Sequence, residues 1–199
     1  MQTPKLVILG RDGVLNQYRD DHVKDPAEWV PIAGALDAVA RLNHAGWHAV
    51  VATNQAGIGR GMIDMASLNA VHSRMMKLLA AQGGRVDAVF FCPHTPEDQC
   101  DCRKPKPGMM QQIADRWGAD LADVPMVGDS LRELQAAQNA GCQPHLIRSG
   151  RAEHLGASEL EAWRNEVPTM RVHASLGAFA QHLLSLEPDD NASMPGALQ

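Results

Sequence analysis

Short apolar segments alternate with segments of helical periodicity along this chain, and this alternation constrains its fold more than any other feature. Runs rich in Val, Ile, Leu and Phe predict strands at residues 6–9, 48–52, 86–91, 125–127 and 145–147, with a weaker edge strand at 169–172. Apolar residues at helical spacing predict helices at residues 33–45, 65–81, 108–117, 130–140, 158–164 and 176–186. Strands and helices that alternate in this way build a parallel sheet with helices on both faces, so we predict an α/β fold.

The same pattern defines the domain organisation. We expect residues 1–186 to form one domain, because no linker or internal repeat divides them. Residues 187–199 have the composition of a disordered tail. With 199 residues, 45% of them hydrophobic, the chain is long enough to bury a full core.

Charge and hydropathy argue against several classes of function. The net charge is −5 and no run of Lys or Arg is present, which argues against nucleic-acid binding. The longest apolar runs are strand-sized, well short of the ~20 residues of a membrane-spanning helix. The first residues lack the pattern of a secretion signal. We expect a cytoplasmic monomer that acts on a small molecule, with neither a nucleic-acid nor a membrane partner.

Polar motifs follow four of the predicted strands at the point where each strand ends. In chain order they are Gly10–Asp12, Thr53-Asn54-Gln55, Arg103-Lys104 and Gly128-Asp129. Ligands bind beyond the carboxyl ends of the strands in an open parallel sheet, so we expect these residues to share one site. Each motif has an ordinary alternative, as a turn, a solvated pair or a helix cap. Four at consecutive strand ends indicate a functional site.

The first motif, Gly10-Arg11-Asp12-Gly13-Val14-Leu15-Asn16, resembles the Asp-x-Asp-Gly motif of the haloacid-dehalogenase (HAD) phosphatases. In that family the first Asp is the nucleophile that accepts the phosphoryl group, and here Gly10 stands in its place. The resemblance implies that Asp12 is the general acid for the leaving oxygen and then the base that activates water.

The other motifs supply the residue types that phosphomonoester hydrolysis requires, which are groups that hold and neutralise the phosphoryl oxygens. Mg²⁺ prefers carboxylate and carbonyl oxygens, so the Asp129 side chain and the Asp12 backbone carbonyl are its expected ligands. Thr53 would hold phosphoryl oxygens and Lys104 would add positive charge. The predicted substrate-binding residues are Thr53, Asn54, Gln55, Arg60, Arg103 and Lys104.

Three cysteines and a histidine cluster in one short segment, Cys92-Pro-His94-x5-Cys100-x-Cys102. These are the ligand types of closed tetrahedral zinc sites, and no carboxylate or open position accompanies them, so the predicted Zn²⁺ is structural. The alternatives are reduced surface thiols or an incidental disulfide. Cys142 stands apart and is expected to be a packed core thiol.

The glycine-rich segment 57–61 contains Arg60, which could reach a second anionic group on a substrate. The alternative is a flexible turn with a solvated arginine. The eight histidines other than His94 show no mutual ligand spacing and are interpreted as surface or packing residues.

Taken together, RDGVLN, TNQAGIGRG, CPHTPEDQCDCRKPKPGM and VGDS resemble the D-glycero-D-manno-heptose-1,7-bisphosphate 7-phosphatases. These belong to the HAD branch that also contains histidinol-phosphate phosphatase, and both carry the zinc loop. Arg60-Gly61 and Pro107-Gly108-Met109 look more like the heptose enzyme. The resemblance implies a capless Rossmann-like fold, Mg²⁺ catalysis through an aspartyl-phosphate, and release of the 7-phosphate during ADP-heptose synthesis for lipopolysaccharide.

Six residues match the family positions, namely Asp12, Thr53, Asn54, Arg103, Lys104 and Asp129. The family has a usual partner residue four positions after the Asp that corresponds to Asp129. Glu133 stands at that position here, which is a mild change. Gly10 is the serious departure, because it removes the covalent acceptor and one Mg²⁺ carboxylate together. Loss of a covalent nucleophile lowers the rate by roughly 10⁴–10⁶. The fold should survive, since a glycine at a strand end weakens pairing only slightly.

Three hypotheses follow for the function. The first is a working phosphatase family member in which Gly10 is an engineered or accidental change, with histidinol phosphate as the alternative substrate. The second is a protein that binds a phosphosugar without turning it over. The third is a zinc-stapled interaction module, for which the sequence offers no apolar stripe as a partner surface.

Overall fold

A computed structural model describes residues 4–186, which form a sheet of six parallel strands. The strands are β1 (Leu6–Leu9), β2 (His48–Asn54), β3 (Ala88–Cys92), β4 (Pro125–Gly128), β5 (Gln143–Ile147) and β6 (Arg171–His173). Their order across the sheet is β3-β2-β1-β4-β5-β6. The predicted α/β fold is confirmed, and the predicted edge strand lies at the edge but begins two residues later than expected.

Within residues 4–186, seven α-helices connect and cover the strands. They are α1 (Ala35–His44), α2 (Ala56–Gly59), α3 (Met65–Ala81), α4 (Gly108–Trp117), α5 (Leu131–Ala140), α6 (Ala157–Glu166) and α7 (Leu176–Ser185). Six of them lie where the periodicity predicts, whereas the four-residue α2 was not predicted. Among the residues described, no helix is long and apolar enough to cross a membrane. The predicted tail at 187–199 lies outside the described residues.

The central strand β1 is buried on both faces, which explains its uninterrupted apolar sequence. Val7 and Leu9 pack into a core with residues of α1, α3 and α7. Leu6 and Ile8 point the other way and pack with residues of α4 and α5. The helices on the two faces therefore hold β1 from both sides and fix the position of the residues that follow it.

The strand order creates a crevice at the carboxyl edge of the sheet. From β1 the chain goes to β2 on one side, and it later returns to β4 on the other side of β1. Such a reversal leaves a gap between the connecting segments at the carboxyl ends, which is where ligands bind in open α/β sheets.

Three histidines that lie far apart in the sequence pack together on β5, β6 and α7. His145 on β5 is 2% exposed, and its Nδ1 lies 2.9 Å from Nε2 of His173 on β6. The ring of His182 on α7 lies 5.2 Å from that of His173. Burial lowers the pKa of His145 to about 3, and the charges of its neighbours add to the effect. His145 is therefore a neutral packing residue, as a core position requires.

This burial predicts a pH-dependent stability. The unfolded chain takes up a proton at His145 near pH 6.5, whereas the folded chain resists protonation down to about pH 3. The free energy of unfolding should thus be fully retained above pH 6.5 and should fall below it, by about 1.4 kcal/mol per pH unit for one such histidine. Urea unfolding at about pH 7 and pH 5 measures this dependence, and His145→Gln should make it shallower. His44→Gln, at an exposed position on α1, is the matched control, and equal slopes in all three proteins would contradict the prediction.

Candidate active site

The predicted strand-end residues meet at the carboxyl edge of the sheet. One small cleft is lined by Arg11, Asp12, Thr53, Asn54, Lys104, Ser130, Arg132, Glu133 and Arg151. A wider cleft adjoins it and is lined by Asp12, Tyr18, Arg19, Asp20, His22, Asn54, Ala56, Arg60, Arg103, Arg132 and Arg151. Of the predicted site residues, Asp12, Thr53, Asn54 and Lys104 face the first cleft, and Arg60 and Arg103 face the second.

Gly10 lies at the start of this edge, directly after β1. Its N–H donates a hydrogen bond to the Val127 carbonyl at 2.9 Å, which joins the end of β1 to β4. The backbone is thus held in place beside the cleft. With no side chain, Gly10 offers neither an attacking oxygen nor a metal ligand.

Asp12 is held by donors on several sides. Arg11 Nη2 donates to both carboxylate oxygens, at 3.0 and 2.9 Å. Asn16 Nδ2 donates at 2.9 Å and Gln55 Nε2 at 3.0 Å. Burial would raise the pKa of Asp12, but the charge of Arg11 and these hydrogen bonds outweigh it and hold the pKa below its usual value. Asp12 is therefore ionised here, and a phosphate dianion beside it would raise its pKa toward that of a proton donor.

Arg11 was not predicted as a site residue. Its side chain is fully buried, and Nη1 lies 3.2 Å from Nε2 of His72 on α3. Burial, followed by the charge of Arg11, lowers the pKa of His72 to about 4, so that His72 is neutral and can accept from Arg11. One signal in the sequence could have identified Arg11, namely a charged residue at the end of a buried strand. A buried arginine requires a fixed partner, so a charge at that position indicates a defined contact.

Asp129 lies buried at the end of β4, where a loop after β5 covers it. The Arg151 backbone N–H donates to its Oδ2 at 2.8 Å, and Arg151 Nη1 lies 3.3 Å from its Oδ1. Gly13 passes close by with φ +82°, and a Cβ there would overlap the Asp129 carboxylate, so that only glycine fits. Burial, and then the charge of Glu133, raise the pKa of Asp129 to about 8. A carboxylate in such surroundings gains from a further cation.

Lys104 is 4% exposed and connects three strand ends. Its Nζ donates to the Ala52 carbonyl and to Glu133 Oε1, both at 2.6 Å. The Asn54 side chain pairs with the Lys104 backbone, donating to its carbonyl and accepting from its N–H at 3.1 Å each. The loop after β3 is thereby fixed to the end of β2.

Gln55 supports its neighbours from below the cleft. It is 1% exposed, and its Nε2 donates to Thr53 Oγ1 at 2.9 Å as well as to Asp12. Because its amide donors point at these two side chains, we assign Gln55 to the support of Thr53 and Asp12. Its predicted role in substrate binding stays a prediction.

Arg151 and Tyr18 are further residues that the sequence did not indicate. The Arg151 guanidinium lies over the Tyr18 ring, 3.8 Å from its centroid. Burial, and then the charges of Arg151 and Arg103, lower the pKa of Arg132 of α5. These arginines therefore lie near enough for their charges to act on one another. The two clefts therefore present a group of arginines that repel one another and attract an anion.

The four predicted zinc ligands converge. Their ligand atoms all lie within 4.8 Å of one another. Cys92 Sγ lies 3.6 Å from Cys100 Sγ, and His94 Nδ1 lies 3.3 Å from Cys102 Sγ. These separations fit the edges of a tetrahedral Zn²⁺ site, about 3.3–3.8 Å for Zn–N and Zn–S bonds of normal length. No disulfide is present, since all four cysteines of the chain are free, and Cys142 is buried as predicted.

The zinc-ligand segment leads directly into the cationic pair of the site. Arg103 follows Cys102, and its Nη1 donates to the His94 carbonyl at 3.2 Å. An ion held by the cluster would therefore fix the direction in which Arg103 enters the wider cleft.

Comparison with known proteins first establishes the class. A family model described as HAD-hydrolase-like matches residues 101–178. Together with the parallel sheet and the strand-end cleft, this match indicates a HAD-type hydrolase.

The relatives then establish the family. The D-glycero-beta-D-manno-heptose-1,7-bisphosphate 7-phosphatase of Bordetella bronchiseptica is 58% identical over 181 residues, which cover 90% of this chain and 98% of the relative. The enzyme of the same name from Pseudomonas aeruginosa is 51% identical over 73% of this chain and 82% of its own length. A crystal structure of D,D-heptose 1,7-bisphosphate phosphatase from B. bronchiseptica, complexed with magnesium and phosphate, has a TM-score of 0.85 at 51% identity, covering 91% of this chain and 98% of that one. The chain belongs to the D-glycero-D-manno-heptose-1,7-bisphosphate 7-phosphatase family, and the predicted resemblance is confirmed.

The cysteine and histidine cluster predicts one zinc ion per chain. Cys100→Ser should remove it and lower the melting temperature, because the loop then loses the ion that joins its ends. Elemental analysis of the purified protein and thermal unfolding measure both effects. Cys142→Ala is the matched control, since this cysteine lies outside the cluster and should leave the zinc content unchanged. Equal zinc in the Cys100→Ser variant would contradict the prediction.

Proposed function

We propose that this chain has the site of a phosphomonoester hydrolase that removes the 7-phosphate of D-glycero-D-manno-heptose 1,7-bisphosphate, and that Gly10 severely impairs it. The observation that carries the proposal is the cleft in which Asp12, Thr53 and Lys104 face one another beside a buried Asp129. The relatives named for this reaction support the same substrate. Acting as a monomer in the cytoplasm, the chain would take a small sugar phosphate from the lipopolysaccharide precursor pathway.

The donor set at the end of β4 fits Mg²⁺. Asp129 offers a buried carboxylate, the Asp12 backbone offers a carbonyl, and substrate phosphate commonly completes such sites. When bound there, the ion would neutralise phosphoryl oxygens. One carboxylate fewer than in the family, because of Gly10, weakens this site. The structure of the relative with magnesium and phosphate supports this choice of ion.

The chain's own residues hold the phosphoryl group and supply the proton. Thr53 donates to a phosphoryl oxygen, and the fixed ammonium of Lys104 lowers the cost of bringing a dianion into the cleft. Asp12 takes up a proton as the dianion raises its pKa and then gives it to the sugar oxygen that leaves. No group at residue 10 attacks phosphorus, so the reaction lacks its covalent acceptor.

The wider cleft suits the second phosphate of a bisphosphate. Arg60 and Arg103 line it together with Arg132 and Arg151, and within residues 4–186 the side chains of Arg60 and Arg132 make no hydrogen bond. A second phosphate would separate and neutralise these charges. Histidinol phosphate carries one phosphate and a cationic amine, and this group of arginines would repel the amine. The wider cleft therefore favours the heptose bisphosphate over the alternative substrate.

A second function, binding without turnover, is supported by a specific observation. The groups that hold phosphate are in place, and only the attacking side chain is absent. Such a protein would retain the sugar phosphate instead of releasing inorganic phosphate.

Restoring the carboxylate tests the enzyme proposal. Gly10→Asp should raise phosphate release from the heptose bisphosphate, by as much as roughly 10⁴-fold where the new carboxylate reaches the attacking position. Gly10→Asn is the matched control, since it has the same shape without a nucleophilic oxygen, and its rate should stay near that of the chain as it is. Binding measured by calorimetry with no gain in rate in any folded variant would favour the non-catalytic function.

The role of Arg60 can be tested on binding alone. Arg60→Gln should weaken calorimetric binding of the bisphosphate by about 10–100-fold, the loss of one charge-assisted hydrogen bond, and should leave inorganic phosphate binding nearly unchanged. Arg19→Gln is the matched control, because Arg19 already pairs with Asp21 at 3.0 Å. Equal weakening for both ligands would contradict the assignment of Arg60 to a second phosphate.

A further inference from the structure

The carboxylate of Glu133 lies where a side chain of residue 10 would begin. A Cβ built on Gly10 falls 2.7 Å from Glu133 Oε1 and 3.3 Å from its Cδ. It also falls 2.8 Å from Val14 Cγ2. Separations below 3.0 Å essentially do not occur for real Cβ atoms. The space beside Gly10 is therefore already filled.

Glu133 is not free to move out of this space. Its Oε1 accepts from Lys104 Nζ at 2.6 Å. Its Oε2 accepts from the Asp129 N–H at 2.9 Å and from Ser130 Oγ at 3.3 Å. The side chain is 8% exposed, and Val14 on the other side is fully buried. A new side chain at residue 10 would have to displace one of these fixed groups.

The length of Glu133 explains its reach. It begins in the first turn of α5, and an aspartate there would end one C–C bond earlier, by about 1.5 Å. A shorter acid would withdraw its oxygens from the space beside Gly10.

The charges around Lys104 lead to the same conclusion as the filled space beside Gly10. Lys104 has Glu133 as its carboxylate partner and a carbonyl as its other acceptor. A second carboxylate at residue 10 would share one ammonium with Glu133, at a buried site where like charges repel strongly.

We infer that Gly10 and Glu133 form a matched pair, in which the Glu133 carboxylate fills the space and supplies the negative charge that a residue-10 carboxylate would otherwise bring beside Lys104. Glu133 is thus the positioning residue for Lys104 in this chain. The inference rests on the proposed function only for the location of the attacking group. A carboxylate restored at residue 10 then reaches its full effect only with a shorter acid at residue 133.

A double-mutant cycle tests the pair. It compares the chain as it is with Gly10→Asp, Glu133→Asp and the double variant, by urea unfolding. The folding equilibrium constant of the double variant should exceed the value expected from the two single effects combined, by on the order of tenfold. Glu159→Asp, an exposed acid on α6, replaces Glu133→Asp in a matched control cycle and should show no coupling with Gly10→Asp.

The rate of phosphate release is a measurement that a purely structural role of Glu133 would not change. The double variant should release phosphate from the heptose bisphosphate at least about tenfold faster than Gly10→Asp alone, because the new carboxylate and Lys104 can both take their places. If Gly10→Asp fails to fold and the double variant folds, the pair is supported. If neither folds while Glu133→Asp does, the pair is wrong.

The two proposals fail in different ways. Stability effects that simply add, with equal rates for the single and double variants, would overturn the pair and leave the enzyme proposal standing. Coupled stabilities without any phosphate release would keep the pair and remove the enzyme proposal.

Discussion

The site depends on one buried cation, the ammonium of Lys104. Lys104 lies on the loop after β3, its ammonium donates to a β2 carbonyl, and Glu133 on the helix after β4 neutralises it. Three strand ends are therefore held in register by one side chain. Removing one member of such a buried pair commonly costs about 3–5 kcal/mol, because the other charge is left without a partner.

Asp12 and Asp129 illustrate how different surroundings separate the pKa values of two aspartates, one lining the cleft and the other buried beside it. Asp12 is enclosed by donors that favour its ionised form. Asp129 is buried beside another acid, and these two effects favour its neutral form more than the charge of Arg151 favours its ionised form. One of them is thus suited to exchanging a proton with a substrate oxygen, and the other to holding a positive charge.

The sequence predicted those parts of the fold and the site that depend on local patterns. The apolar runs of β1 and the helical spacing of α3 define these elements with little tertiary information, and their bounds agree with the structure. The polar motifs at strand ends were predictable because a parallel sheet gathers its carboxyl ends. Arg151 was not predictable, because its contact with Asp129 joins residues far apart in the chain and comes from a loop with no motif of its own. The packing of His145 with His173 has the same cause, since neighbouring strands bring them together. The overlap between Glu133 and the space beside Gly10 depends on distances of a few tenths of an ångström, which residue types alone do not encode.

The arginines around the wider cleft have a consequence for how a ligand arrives. The chain as a whole carries a net charge of −5, so its net charge repels a highly charged anion. Arg60, Arg103, Arg132 and Arg151 concentrate the opposite potential at one mouth. A polyanion diffusing nearby would be turned away from the rest of the surface and drawn to this opening, at a rate that added salt would slow. Selectivity of this kind acts during the encounter, before any hydrogen bond forms.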